Sequence, residues 1–257
     1  MAELGLGHYY LLNHLNCHFM SIISFPTQTD SWYGATRHRF QFEGREAWIV
    51  EPDSPAAGRP WTWCMEWPTA FVPRTGVPTL LAQGFHHVHL QAKGHGNDED
   101  QQAFRRYHDF LLTLGLAQRT ALIGLSFGGL YSVRYAAFNP ERVASVYLDA
   151  PVCSFKNFRF MDQVKEEYQL DDVEHIEKHP GMPVNLTGKL LQIPVLLIYG
   201  ADDLVVVPAY NCELFAERLQ AAGGKIQIIE RPSWGHHPHG LDDTTTIVNF
   251  ICENLAE

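Results

Sequence analysis

Apolar positions along this chain follow two rhythms, and the rhythms take turns. Arg39-Phe40-Gln41-Phe42 alternates, Ala47-Trp48-Ile49-Val50 runs apolar, and Gly44 lies between them, which predicts a β-hairpin. Pro52, Pro55, Gly58 and Pro60 mark the loop that leaves it for a short strand, Trp61 to Cys64. A helix from Pro78 to Gln83 then leads past Gly84 into the strand Phe85 to Leu90. Ala103, Phe104, Tyr107, Phe110, Leu111 and Leu114 recur at three- and four-residue steps, behind Asp98-Glu99-Asp100 and ahead of Gly115. That is an amphipathic helix with acidic residues at its positive end and a glycine stop.

Further along, the strands Thr120 to Leu125, Val143 to Leu148, Val195 to Tyr199 and Ile226 to Ile229 alternate with helices Gly129 to Phe138, Ala209 to Ala222 and Asp243 to Leu255. The unbroken apolar run Val195 to Tyr199 suits a parallel strand covered on both faces. The pattern predicts an α/β fold, a mostly parallel sheet flanked by helices. Residues 153–191 break the rhythm. They are charged, helical over Met161 to Tyr168, and punctuated by Pro180, Gly181 and Pro183. We expect a short lid insertion over the carboxyl edge of the sheet, a plain surface excursion being the alternative. Residues 1–30, rich in histidine and aromatic residues, read as an N-terminal extension of unassigned role, and 31–257 as a single domain.

Charge and composition narrow the partners. Nineteen Lys and Arg against 29 Asp and Glu leave a net charge of −10, with no basic cluster longer than Arg105-Arg106, so nucleic acid and anionic membrane surfaces are excluded as partners. No apolar run approaches the ~18 residues of a membrane helix. Leu15 to Phe25 has the length of a signal-peptide core, but Asn16, His18 and Ser21 interrupt it and no Lys or Arg precedes it; a cytoplasmic location is the expectation, with export open. The five cysteines, Cys17, Cys64, Cys153, Cys212 and Cys252, form no C-x-x-C and are odd in number, so buried free thiols are expected rather than disulfides or a thiolate zinc site.

Between a predicted strand and a predicted helix lies Gly124-Leu125-Ser126-Phe127-Gly128, a G-x-S-x-G pattern. A serine on so tight a turn has strained backbone, and glycines on either side remove side chains that would collide there. The following helix aims its amides and positive end at the same space. A serine hydroxyl becomes a nucleophile only when a base takes its proton, and an acid must hold that base in one tautomer. Downstream, Asp202-Asp203 follows the strand ending at Tyr199, and Trp234-Gly235-His236-His237-Pro238-His239 follows the strand ending at Ile229. On the residues alone, Asp202, Asp203 and Asp149 compete for the acid, and His236, His237 and His239 for the base. A metal site on these histidines is not expected, because no carboxylate stands near them at a helical spacing. His86, His87 and His89 read as strand residues with satisfied nitrogens.

From about Trp32 to the C-terminus, the order Ser, Asp, His and the strand-end placement resemble the α/β-hydrolase superfamily. Its members read G-x-x-D at the acid and G-H-x-P at the base, which implies Asp203 as acid, His236 as base and Asp202 as a capping or solvated neighbour. The amide of Phe127, directly after the nucleophile, is one expected oxyanion donor. Where relatives carry a His-Gly motif this chain reads Met65-Glu66-Trp67-Pro68-Thr69, so the resemblance implies the Trp67 amide as the second donor. Glu66, Trp63 and Trp234 are possible substrate contacts, with solvation or core packing as the alternatives. The segments around Trp61, Asp149-Ala150-Pro151-Val152-Cys153 and Gly235 to Leu241 are similar to a bacterial esterase group that includes carbohydrate acetylesterases. This implies a serine esterase that cleaves a short acyl ester, such as acetyl, of a carbohydrate or similar polar alcohol through an acyl-enzyme, with a small-molecule substrate, no cofactor and no metal. A peptidase or thioesterase on the same triad, and a non-catalytic ligand-binding module, stand as alternatives.

Overall fold

The computed structural model describes residues 21–156, 161–170 and 178–255. The expected extension over residues 1–20, and residues 157–160 and 171–177 of the expected lid, lie outside the described residues. Strands β1 (Gln28–Trp32), β2 (Ala35–Phe42) and β3 (Arg45–Glu51) form an antiparallel meander. Glu43 and Gly44 close its second turn with φ 50° and 71°, two left-handed residues in sequence that match the right-handed twist of the flanking strands. β3 pairs antiparallel with β5 (His86–Leu90), and β5, β4 (Trp61–Cys64), β6 (Thr120–Leu125), β7 (Val143–Asp149), β8 (Val195–Gly200) and β9 (Ile226–Arg231) run parallel. The sheet has nine strands in the order β1-β2-β3-β5-β4-β6-β7-β8-β9.

Helices α2 (Asp98–Thr113), α3 (Phe127–Phe138) and α6 (Cys212–Ala221) cover one face, packing Phe104, Tyr107, Leu130 and Phe215 against Trp61, Trp63, Leu122 and Leu197. α1 (Val77–Ala82) and α7 (Thr245–Leu255) cover the other, where Leu80, Ile247 and Ile251 meet Ala121, Ile123 and Ile198. Each central strand therefore buries both of its alternating faces, which is why its sequence is apolar throughout. Short helices α4 (Met161–Glu167) and α5 (Pro183–Leu186) fall in the interval after β7. Arg45 on β3 reaches the wholly buried Asp100 of α2 at 2.6 Å, and the other Asp100 oxygen accepts from the amides of Gly94 and Gly96, so one carboxylate fixes the loop that carries His95.

Several element boundaries differ from expectation, and four of the differences have a local cause or consequence. Residues 28–30, placed in the extension, instead open β1, a polar edge strand that pattern alone does not distinguish from loop. The helix expected from Ala209 is broken: a 3₁₀ turn covers Pro208–Tyr210, and α6 begins at Cys212. Asn211 sits at the break because its side chain accepts from the amides of Cys153 and Ser154 and donates to the Val207 carbonyl. α3 starts directly after Ser126 rather than at Gly129. α7 starts at Thr245 rather than at Asp243, whose carboxylate accepts from the Thr245 amide.

Gly200 at the end of β8 lets two loops approach. A Cβ there would meet the Trp234 carbonyl oxygen at 2.1 Å and that of Gly235 at 2.5 Å, both backbone atoms. Gly200→Ala is expected to destabilise the protein by about 1–3 kcal/mol through overpacking. At roughly 2–4 °C per kcal/mol for a chain of this size, thermal denaturation should show Tm lowered by several degrees.

Candidate active site

Ser126 occupies the turn from β6 into α3 with φ 50° and ψ −115°, a conformation that costs a non-glycine residue about 1–3 kcal/mol. Neighbouring backbone holds it there: its amide donates to the Asp149 carbonyl at 3.0 Å and its carbonyl accepts from the Val152 amide at 2.9 Å. Gly124 admits the turn, since a Cβ there would lie 2.7 Å from the Gly129 Cα and 2.8 Å from the Gly128 oxygen.

His236 stands on the loop after β9 and Asp203 on the loop after β8. His236 Nε2 lies 3.1 Å from Ser126 Oγ, and His236 Nδ1 lies 2.7 Å from Asp203 Oδ2. The other carboxylate oxygen, Oδ1, accepts from the amides of Val205 at 2.8 Å and Val206 at 2.9 Å. Burial pushes the Asp203 carboxyl up, but the hydrogen bond from His236 and those from Val206 and Val205 outweigh it and hold the group below the ordinary carboxylate value. An ionised Asp203 accepts from His236 Nδ1–H, which leaves the Nε2 lone pair facing the serine hydroxyl.

The competing residues stand elsewhere. Asp202 is exposed, and its amide donates to the Trp234 carbonyl at 3.0 Å. Asp149 is wholly buried and engages a different histidine: Oδ1 pairs with His239 Nδ1 at 2.7 Å, while Oδ2 accepts from the Gly240 amide at 2.9 Å and the Tyr147 hydroxyl at 3.1 Å. His237 is exposed and stacks on Phe71 at 5.4 Å between ring centres.

Ser126 and His236 open into a cavity of about 320 Å³ also lined by Trp67, Ala70, Phe71, Phe127, Val152, Val205, Val206, His237 and His239. Trp67 and Phe127, with Ala92, also wall a neighbouring cavity of about 270 Å³ that carries more polar groups: Glu66, Lys93, His95, Tyr131 and Gln163. Burial pushes the Glu66 carboxyl up to about 7, against a backbone hydrogen bond from Trp67 and the charge of His95. A larger groove of about 630 Å³, lined by Phe25, Phe40, Phe42 and Phe110, holds none of these groups.

Of the expected contacts, Glu66 lines the second cavity, whereas Trp63 and Trp234 line neither; Trp67, the expected oxyanion donor, lines both. Trp63 is 0% exposed, its ring packed against Phe104, Tyr107 and Tyr135, because the two-residue period of β4 turns it under α2 and α3. Trp234 is drawn away from the cavity: its Nε1 donates to the Pro238 carbonyl at 3.2 Å and the Arg231 guanidinium covers its ring at 5.0 Å. His87 and His89 are bonded to the Thr62 hydroxyl and the Cys64 carbonyl, and burial lowers them to about 3 and about 4. His86 departs from expectation: neither ring nitrogen has a hydrogen-bond partner among the described residues. Sequence reasoning did not find the Val205-Val206 wall. Its signal was an apolar run on a loop directly after Asp203, with Leu204 and Val205 84% and 61% exposed.

Ser126, Asp203 and His236 each follow the carboxyl end of a parallel strand, where open α/β sheets bind their ligands. The sequence profile of the alpha/beta hydrolase family matches residues 54–182, half of the chain. The chain belongs to the alpha/beta hydrolase family. Over 122 residues this chain is 28% identical to a carboxymethylenebutenolidase-like protein of Salmonella typhimurium, a match that spans 48% of the chain and 37% of that relative's length. Among solved structures, it is similar to an S-formylglutathione hydrolase from Agrobacterium tumefaciens, at TM-score 0.64 and 16% identity over 89% of this chain and 96% of the other. Est1E from Butyrivibrio proteoclasticus gives TM-score 0.62 and 14% identity over 86% and 99%. The dipeptidyl peptidase 4 of Porphyromonas gingivalis gives 0.63 and 15% over 89% of this chain and 36% of the peptidase. At these identities the structural likeness is one of fold.

Two neighbouring aspartates are separated by one experiment. Asp203→Asn is expected to lower kcat for a short-chain nitrophenyl ester by ~10³–10⁴, by leaving His236 in the wrong tautomer. The exposed Asp202→Asn should lose less than about tenfold, the most expected of a lost cap or a solvated carboxylate.

Proposed function

We propose that this alpha/beta hydrolase is a serine esterase, and that Ser126, His236 and Asp203 carry its chemistry. The observation that supports this reading most is the continuous line from Ser126 Oγ to His236 Nε2 at 3.1 Å and from His236 Nδ1 to Asp203 at 2.7 Å. Ser126 Oγ attacks the ester carbonyl carbon while His236 Nε2 takes its proton, and Asp203 stabilises the imidazolium. The carbonyl electron pair moves onto oxygen, where the Phe127 amide serves as one donor and the Trp67 amide, in exchange for its bond to the Glu66 carboxyl, as the second. Collapse of this intermediate breaks the ester C–O bond, and the alcohol leaves with the proton from His236. Water then attacks the acyl-serine carbonyl and gives a proton to the same nitrogen; collapse breaks the bond to Ser126 Oγ, which takes that proton from His236, and the carboxylic acid leaves.

The two cavities divide the substrate. Apolar walls at Ala70, Phe71, Val152, Val205 and Val206 suit the acyl group, whose transfer from water they favour by about 25 cal/mol per Å² buried. Glu66, Lys93 and Gln163 offer donors and acceptors to a hydroxylated alcohol on the far side of Trp67 and Phe127. An acetyl or other short acyl ester of a carbohydrate or comparable polar alcohol meets both demands.

A panel of carboxylic esters, aminoacyl amides and acyl thioesters tests the assignment. Esters should be the best substrates by kcat/KM, and Ser126→Ala should lower kcat by at least ~10³-fold. Preferential turnover of amides or thioesters, or full activity in the alanine variant, contradicts it. Within the ester series, Lys93→Ala should raise KM for an acetylated sugar by ~10-fold or more, as for loss of a hydrogen bond to a charged group. The rise for nitrophenyl acetate should be smaller, because that leaving group offers the polar cavity little to bind.

A further inference from the structure

We infer that His236, His237 and His239 form a binding site for a divalent transition-metal ion, and that an ion held there switches the hydrolase off. The inhibitory half rests on the proposed role of His236; the binding half does not. Ring centres of the three imidazoles stand 4.7, 4.9 and 4.9 Å apart, a nearly equilateral triangle. One nitrogen from each lies within 4.8 Å of the others. Three imidazoles on one tetrahedral zinc, at about 2.0–2.1 Å from metal to nitrogen, place their ring centres roughly 5 Å apart. The ring centres therefore have the spacing of such a site, and the nitrogens, within 4.8 Å of one another against about 3.3 Å on a tetrahedral zinc, close on an ion by rotation of the exposed His237.

Two of the three ligands are also oriented for it. His236 Nδ1 lies 2.7 Å from Asp203, and His239 Nδ1 lies 2.7 Å from Asp149. An ionised carboxylate can only accept, so each Nδ1 carries the proton and each Nε2 is left with a lone pair. Histidines that bind metals have this arrangement, the second nitrogen donating to a carboxylate that fixes the ring and raises its basicity. His236 and His239 each have their own carboxylate, and both line the same cavity. His237, the exposed member, can turn to close the set. The fourth ligand would be a water or Ser126 Oγ, which lies 3.1 Å from His236 Nε2. Neutral imidazoles select zinc, copper, nickel or cobalt over magnesium or calcium.

Filling the site withdraws the base. The His236 Nε2 lone pair that would take the Ser126 proton becomes a metal bond, and the ion occupies the mouth of the acyl cavity. Metal and substrate then exclude one another, and a chelator raises activity or leaves it unchanged.

Equilibrium binding of Zn²⁺, measured in competition with a chromophoric chelator, and the visible spectrum of bound Co²⁺ both report the site without reference to turnover. We expect one ion per chain, a tetrahedral cobalt spectrum, no binding of Mg²⁺, and at least tenfold weaker binding in His237→Ala, whose exposed side chain is dispensable for folding. His239→Gln should weaken binding as well. Nitrophenyl ester hydrolysis should fall over the same Zn²⁺ range, competitively with substrate, and recover with chelator. Absence of stoichiometric binding, or binding that His237→Ala leaves unchanged, overturns the site. Stimulation of turnover by Zn²⁺ overturns the inhibitory role. Binding as described, in a protein that turns over no ester, upholds the site and counts against the serine-esterase reading alone.

Discussion

The Asp149 carboxylate is buried without solvent contact at the end of β7, and a charge so placed is strongly destabilising unless fully partnered. Apart from the Tyr147 hydroxyl on the same strand, its partners come from one segment: His239, the Gly240 amide and, more distantly at 3.4 Å, Arg231. Its own backbone carbonyl holds the Ser126 amide. One residue thus ties the strained serine turn on one side to the histidine loop on the other. The 3.1 Å approach of His236 to Ser126 depends on both ties. The second tie is the close passage of Gly200 beneath Trp234 and Gly235, which brings the loop of Asp203 alongside the same histidine loop.

With the loops set in this way, electrostatics follows from burial. Asp203 and His236 are removed from water, where a hydrogen bond between them is stronger than in solvent, and two further amides keep the aspartate ionised. Glu66 has burial without comparable support, and its carboxyl rises to about 7. Two carboxylates at the same edge of the sheet therefore have opposite tendencies, one held as an anion and one protonating near neutrality. That contrast separates the proposed catalytic line from the polar cavity beside it.

Much of this was legible before any coordinates, and the limits were physical. Ser126 between glycines at a strand-to-helix junction, and acidic and histidine residues following later strands, are local signals that strand and helix periodicity places at one sheet edge. Trp63 was not legible, because β4 buries both faces and its apolar run does not say which side meets the site. The Asp149–His239 pair joins residues 90 positions apart and leaves no local trace. Asn211 breaks an otherwise continuous helical pattern through bonds to Cys153 and Ser154, a tertiary override of local propensity. The polar cavity escaped notice because Glu66, Lys93, Tyr131 and Gln163 come from four separate segments.

The central claim is that Ser126 is activated by the His236–Asp203 pair and becomes acylated. Treating the protein with a fluorophosphonate, followed by intact-mass and peptide mapping, tests it most directly. The account predicts one phosphonyl group per chain, on the peptide containing Ser126, with ester turnover lost in proportion to labelling. Labelling at another residue, or turnover that persists in fully labelled protein, would contradict it.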